Sequence, residues 1–130
     1  MLDSYMQKLV NEMEIEDSLA SDVPGVYQFP VDEETTILIT EIPRGFEFTC
    51  NVSACPEKKL EEFFTSALFA NLFSQGTEGC VLGLDAEGEM VTLSRTVDYE
   101  VDYQEFRDML EDFVNTVGQW KEETAYYANS

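Results

Sequence analysis

The sequence predicts an α+β domain in which an antiparallel sheet packs against helices, in the order helix, three strands, helix, two strands, helix. Three observations carry that expectation. The run "FEFTCNVSA" at 46–54 alternates apolar and polar residues throughout, as a strand with one buried face must. Two segments, 57–76 and 103–122, have helical periodicity and helix-ending or helix-starting residues at their boundaries. The stretch between them carries a turn signal, "DAEG", at the centre of an apolar hairpin pattern.

The first helix rests on Leu2, Met6, Leu9, Val10 and Met13, which share one face at 3.6-residue spacing, and Ser4 with Gln7 has the form of a capping box. Residues 16–25 collect turn formers and end in Pro24-Gly25, so a loop precedes the first strand. In "VYQFPV" at 26–31, Tyr27, Phe29 and Val31 point inward, and Pro30, which lacks a donor, places this strand at a sheet edge or at its own end. The β-branched "TTILITEI" at 35–42 turns through "IPRG" into the third strand. There Phe46, Phe48, Cys50, Val52 and Ala54 face one side, with Glu47, Thr49, Asn51 and Ser53 on the other. Pro56 suits a first helical turn, and Gly76 ends that helix. The last helix starts at an Asp102 cap with Glu105 three residues on. It buries Tyr103, Phe106, Leu110, Phe113, Val114 and Val117, and exposes Glu105, Asp108, Glu111, Asp112 and Gln119. The expected domain spans 1–122, followed by a tail at 123–130.

The middle helix holds more apolar surface than one sheet can cover. Leu60, Phe63, Phe64, Ala67 and Leu68 form an ordinary sheet-facing stripe, but from 67 to 73 only Asn71 is polar. A helix apolar on nearly every side must be buried on two. A small domain with five strands has little left for the second side, so the expected cover is another subunit, contacted through Phe69, Leu72 and Phe73, and the alternative cover for Phe69 and Phe73 is the first or last helix of the same chain. Burying Phe69, Leu72 and Phe73 removes on the order of 300 to 500 Å² per subunit, roughly 8 to 12 kcal/mol before association costs.

The chain has 27 acidic residues, 7 basic residues and no histidine, a formal charge of −20. Nucleic acid and anionic membrane surfaces would repel it, and no Lys/Arg cluster exists to release counterions. Partners are expected to be neutral, basic or apolar proteins. No apolar run of about 18 residues suggests a membrane span, and the N-terminus lacks the pattern of a secretory signal, which makes a cytoplasmic location the expectation. Cys50, Cys55 and Cys80 have no metal-ligand spacing and read as reduced, mostly buried small hydrophobes. With no phosphate loop, nucleophile elbow, calcium loop or metal motif, no enzyme activity, cofactor or metal is expected. What remains is a binding module whose acidic faces keep apolar grooves from self-association. The methionine-rich first helix suits varied apolar partners, and an uncovered sheet edge suits an added strand. An acidic regulatory adaptor that binds a basic or transcription-related protein is the competing expectation.

The element order and the stretch "ALFANLFSQGTEGCVLGLDAEGEMVTLSRTVDYE" at 67–100, followed by "LEDFVNTVGQW" at 110–120, resemble the class I type III secretion chaperones, also called the Tir chaperone family. The resemblance covers most of residues 1–122, and the segment "EETAYYANS" has no counterpart in it. It implies a bacterial cytoplasmic protein that dimerises through the middle helix, with itself or with another chaperone. Such a dimer binds the N-terminal part of secreted effectors in extended form, keeping them soluble and export-competent without ATP. It further implies effector contacts at Leu2, Met6, Leu9, Val10 and Met13, and at the strand positions Ile37, Ile39, Met90 and Leu93. Leu68, Phe69, Leu72 and Phe73 match the dimer helix.

Overall fold

Five strands form one antiparallel sheet in the computed structural model, which describes residues 2–15, 19–56, 60–73 and 80–128, with the side chains of 69–73 and 128 outside that description. The elements are α1 (Leu2–Glu12), β1 (Val26–Pro30), β2 (Thr36–Ile42), β3 (Gly45–Ala54), α2 (Leu60–Phe73), β4 (Val81–Leu84), β5 (Met90–Val97) and α3 (Tyr103–Ala128). Strand order is β1-β2-β3-β5-β4. Alternation places Phe29, Ile37, Cys50, Leu93 and Leu82 opposite one another across all five strands, and every one of them is buried. This row is the floor of the core.

Helix α3 lies along it. The rings of Phe46 and Phe48 meet Phe106 and Phe113 at centroid distances of 5.1 and 5.3 Å, and Leu110, Val117 and Trp120 continue the buried stripe. The start of α3 is a reciprocal capping box. The Glu105 N–H donates to Asp102 Oδ1 at 2.8 Å, and the Asp102 N–H reaches Glu105 Oε1 at 3.5 Å. Helix α1 adds Leu2, Met6 and Leu9 to the same core, and its Tyr5 hydroxyl donates to the Val101 carbonyl at 2.6 Å. The β4–β5 turn is tied by the Asp85 carboxylate, which accepts from the N–H groups of Glu89 and Met90, while Gly88 supplies the φ of 71° that the turn needs.

Four features depart from the sequence reading. Helix α1 begins at Leu2, two residues before the Ser4 cap, because a fully buried Leu2 anchors its first turn. The register of β3 against β5 shifts between Asn51 and Ser53. That bulge turns Ser53 toward the helices, where its hydroxyl donates to Thr124 Oγ1 at 2.7 Å. Residues 123–128 are not a loose tail: they are the last turns of α3, with Thr124 buried and Tyr127 packed on the core. On α2, Phe63 is buried but Leu60 and Phe64 are exposed, because α2 packs at the β4 edge and against the end of α3 rather than over the middle of the sheet. Gly76, the expected end of α2, lies outside the described residues.

Candidate functional site

The described helices gather on one face of the sheet, and the gaps between them make grooves. One apolar groove of about 420 Å³ runs between the end of α1, the end of β1 and the middle of α3. Leu9, Phe29 and Leu110 form its buried floor, Met13, Val31 and Val114 its walls, and Glu12, Glu111 and Arg107 its rim. Arg107 Nη1 donates to Glu12 Oε2 at 3.1 Å, which ties α1 to α3 at one end of the groove. Both groups are nearly half exposed, so this pair sets position more than stability. The Glu12 carboxylate also raises the pKa of Arg107, which stays charged. Met13, 51 % exposed, stands just past the last turn of α1.

A second groove, about 530 Å³, lies on the other side of α1, between Met6, Val10 and the segment Leu19–Tyr27. That segment does something the sequence reading missed. Ser21 N–H donates to the Val26 carbonyl at 3.0 Å, and Gln28 N–H donates to the Leu19 carbonyl at 2.8 Å. Residues 19–21 thus pair with the outer edge of β1, and Pro30 brings no donor at its end. Of the two sheet edges, β1 and β4, the β1 edge is therefore already occupied over 26–28. The signal was present in "DVPG", read as a loop and in fact the turn of a short hairpin, with Gly25 at φ 79°.

The opposite face of the sheet carries Thr36, Leu38, Glu47, Thr49, Asn51, Thr92 and Ser94 around a concave surface of about 550 Å³. It is polar, as alternation requires of a face that meets water. A third apolar groove, about 320 Å³, separates α2 from β4 and is lined by Phe63, Phe64, Ala67, Leu68, Leu82, Leu84 and Val91. Along α2, Leu60, Phe64 and Leu68 form one ridge at i, i+4 and i+8, exposed by 39, 41 and 65 %. In sequence the ridge continues to Leu72.

The residues expected to contact a partner therefore divide. Leu2, Met6 and Leu9 hold α1 on the core, although Met6 and Leu9 also line the two grooves beside it. Val10 and Met13 offer surface, one to each groove. Ile37, Ile39 and Leu93 are fully buried on the inner face, so contact with a partner would require opening the core, and their assignment as contacts is withdrawn. Met90 is half-buried and far in register from α1, beside the β4–β5 turn. Of the four residues assigned to the subunit contact, Leu68 is the most exposed large hydrophobic of the described chain, and the side chains of Phe69, Leu72 and Phe73 lie outside the described ones. These strand positions came from the family resemblance, which matches the order of elements and does not say which face of the sheet the helices cover.

Few cations offset the charge, and several have intramolecular roles. Lys121 Nζ donates to Asp32 Oδ2 at 3.2 Å, joining α3 to the β1–β2 turn. The Glu34 N–H and then Lys121 hold the Asp32 carboxyl below its usual range. Lys8 sits 5.4 Å from the centroid of the Tyr103 ring. Burial pushes the Cys50 thiol up to about 11, so it stays protonated at neutral pH. Among the described residues no group of three or more Cys, Asp or Glu is placed to hold a metal ion, and no helix is long and apolar enough to cross a membrane.

Comparison with known proteins follows the same outline. A protein of Chlamydia pneumoniae, CPj0713/CpB0740, is 25% identical over 122 residues, 92% of this chain and 93% of its own length. Solved structures share the fold at low identity. A chain of the ExsC–ExsE complex superposes with a TM-score of 0.72 at 12% identity, covering 95% of this chain and 92% of that one. The HopA1–SchA chaperone–effector complex gives 0.68 at 13%, covering 99% and 94%. The heterodimeric ExoU–SpcU complex from the type III secretion system of Pseudomonas aeruginosa gives 0.61 at 16%, covering 99% and 96%. The family profile of the Tir chaperone proteins matches residues 4–121. The chain therefore belongs to the Tir chaperone protein (CesT) family, the class of secretion chaperones that its order of elements resembles.

Proposed function

We propose that the protein is a chaperone that binds the N-terminal segment of one or more type III secretion effectors in extended form. It keeps them soluble and competent for export without hydrolysing ATP. The observation that carries this reading is the apolar groove between α1, β1 and α3, open in a chain of net charge −20. An unfolded segment brings apolar side chains that would otherwise self-associate. Leu9, Phe29 and Leu110 supply a floor for such side chains, and Met13 and Val114 supply adaptable walls. The acidic surface then keeps the loaded complex in solution. Binding of this kind uses surface burial alone and needs no chemical step.

The working unit is a dimer, a homodimer or a pair with another chaperone, joined along the α2 ridge through Leu60, Phe64 and Leu68 and onward through Phe69, Leu72 and Phe73. Family membership and the cytoplasmic partners it implies support a cytoplasmic location. Co-expression with the N-terminal segment of a secreted effector tests both parts. Wild-type protein is expected to co-purify with the segment as a complex containing two chaperone chains. Met13→Asp with Val114→Asp is expected to lose cargo at least tenfold while the dimer persists. Leu68→Asp is expected to yield monomer. A folded monomeric wild type that holds no unfolded segment overturns the proposal.

The charge favours a second reading, an acidic adaptor that masks a basic or transcription-related protein. Arg107, Lys121 and Lys8 are engaged within the chain, which leaves acid dominant on the surface. Salt separates the two: masking of a basic surface weakens steeply with ionic strength, and apolar anchoring in a groove does not.

A further inference from the structure

Residues 19–21 hold the outer edge of β1 through the bridge of Ala20 to Tyr27, with the Ser21 N–H given to the Val26 carbonyl and the Gln28 N–H given to the Leu19 carbonyl. Little of this segment is buried. Leu19 is half-buried against the core, whereas Ala20, Asp22, Val23 and Pro24 are exposed. Few buried apolar contacts and exposed backbone hydrogen bonds mark a segment of low local stability. Behind it the chain is pinned. Gly25, at φ 79°, offers its carbonyl to the Glu41 N–H of β2 at 2.7 Å, so residues 19–24 can swing about Gly25 while β1 stays paired with β2. Charge opposes closure as well. The segment carries Asp22, follows Glu14, Glu16 and Asp17 in sequence, and belongs to a stretch without Lys or Arg between Lys8 and Arg44. Asp3 lines the same groove and accepts from the Tyr27 hydroxyl at 3.1 Å.

We propose that Leu19–Asp22 is a displaceable strap, which holds the β1 edge in the free chain and gives way to an extended cargo segment. The inference rests on the cargo reading above and adds its regulation. Three observations select this competition. The apolar groove of Leu9, Phe29 and Val31 lies against the end of β1, and at about 3.3 Å per residue an extended segment seated there reaches Gln28 within about three residues. Pro30 has no donor, so the first outward N–H that such a segment meets along β1 is that of Gln28, already given to Leu19. Strap and segment need the same backbone groups and exclude each other. Finally, a neutral or basic segment brings none of the acidic side chains that the strap sets near Asp3. Closure lowers the fraction of chains open to cargo and with it the apparent affinity, so that only a segment also anchored in the apolar groove opens the edge.

The test is amide hydrogen exchange on the full chain, free and with the effector segment of the co-expression experiment as the probe. In the free chain the Ser21 and Gln28 amides are expected to exchange at least about tenfold faster than the amides of the β2–β3 ladder, through opening of the strap alone. Binding of the segment is expected to release the Ser21 N–H to solvent and to protect the Gln28 N–H further, because the first loses its acceptor and the second gains a new one. Ser21→Pro removes a donor from the strap, and its hydroxyl bonds only within the turn, to Val23. That variant is expected to bind the segment about tenfold more tightly. Strap amides as slow in the free chain as the β2–β3 ladder, or unchanged when the segment binds, overturn the strap and leave the groove standing. Affinity of Ser21→Pro within about twofold of wild type overturns it too. Should Ser21→Pro fail to fold, exchange in the wild type decides alone. A segment that binds neither protein removes the cargo reading, and the strap with it.

Discussion

Gly45 shows how a single residue can be fixed by its neighbours. It opens β3, and a Cβ there would overlap the Val97 carbonyl and crowd the Tyr99 carbonyl, both backbone atoms that cannot swing away. Gly45→Ala is therefore expected to cost about 2 to 4 kcal/mol, read as a drop in the urea midpoint, because β3 and β5 must part to admit one methyl group. Cys50 makes a second point at this scale. Burial raises its thiol from the ordinary 9.0 to about 11, so the folded state holds the proton more tightly than the unfolded state does. The sign follows: the associated stability is fully present below pH 9 and is lost as pH rises from about 9 to about 11. Cys50→Ala is expected to flatten the fall in stability across that window, measured by urea titrations at successive pH values, even though the truncation lowers the whole curve. An equally steep fall in the variant would assign the alkaline loss to the tyrosines. Neither effect was visible in the sequence, where Gly45 looked like a turn residue and Cys50 like any inward-facing position.

At the scale of elements, α2 is the instructive one. Its composition announced excess apolar surface, but an even distribution of leucine and phenylalanine around a helix carries no phase, so the choice of buried face could not be read from it. Packing made that choice. Phe63 sits in edge-on contact with Trp120 and Tyr127 at 6.3 and 5.5 Å, and the adjacent Phe64 was left outside. Phe63→Ala is expected to destabilise the chain by about 3 to 5 kcal/mol, whereas Phe64→Ala in a monomeric background such as Leu68→Asp is expected to change stability by less than about 1 kcal/mol. Equal losses in denaturant titrations would mean that Phe64, too, belongs to the core. The elements with a clear period fared differently. The α3 stripe from Phe106 to Val117, the outer row of Glu105, Asp108, Glu111, Asp112 and Gln119, and the Asp102–Glu105 cap were all legible and all appear in the structure.

For the whole molecule, a charge of −20 sets two interactions against each other. Two copies of the chain repel, so a dimer held by the proposed apolar α2 ridge is expected to tighten as salt rises from about 0.05 to 0.5 M. Attraction of a basic partner is expected to weaken over the same range, and an apolar effector segment in the groove between α1 and α3 is expected to change little. Sedimentation for the dimer and fluorescence titration for the cargo, run across one salt series, separate these contributions. A dimer that dissociates as salt rises would show that ion pairs, rather than the apolar ridge, hold it.

By itself the sequence determined the class of fold, the order of elements along the chain, the alternation of the strands up to the β3 bulge, the helix stripes with a clear period, the family resemblance, and the surplus of apolar surface on α2 in a strongly acidic chain. Those properties follow from short-range periodicity and composition, which a linear reading contains. Only the tertiary structure decided that residues 19–21 close the β1 edge, that Ile37, Ile39 and Leu93 lie under the helices, that Ser53 turns inward at a bulge, and that the supposed tail is the end of α3 beside α2. Each of these depends on contacts between segments distant in sequence, where the burial gained by one packing over another selects the face, the register or the partner.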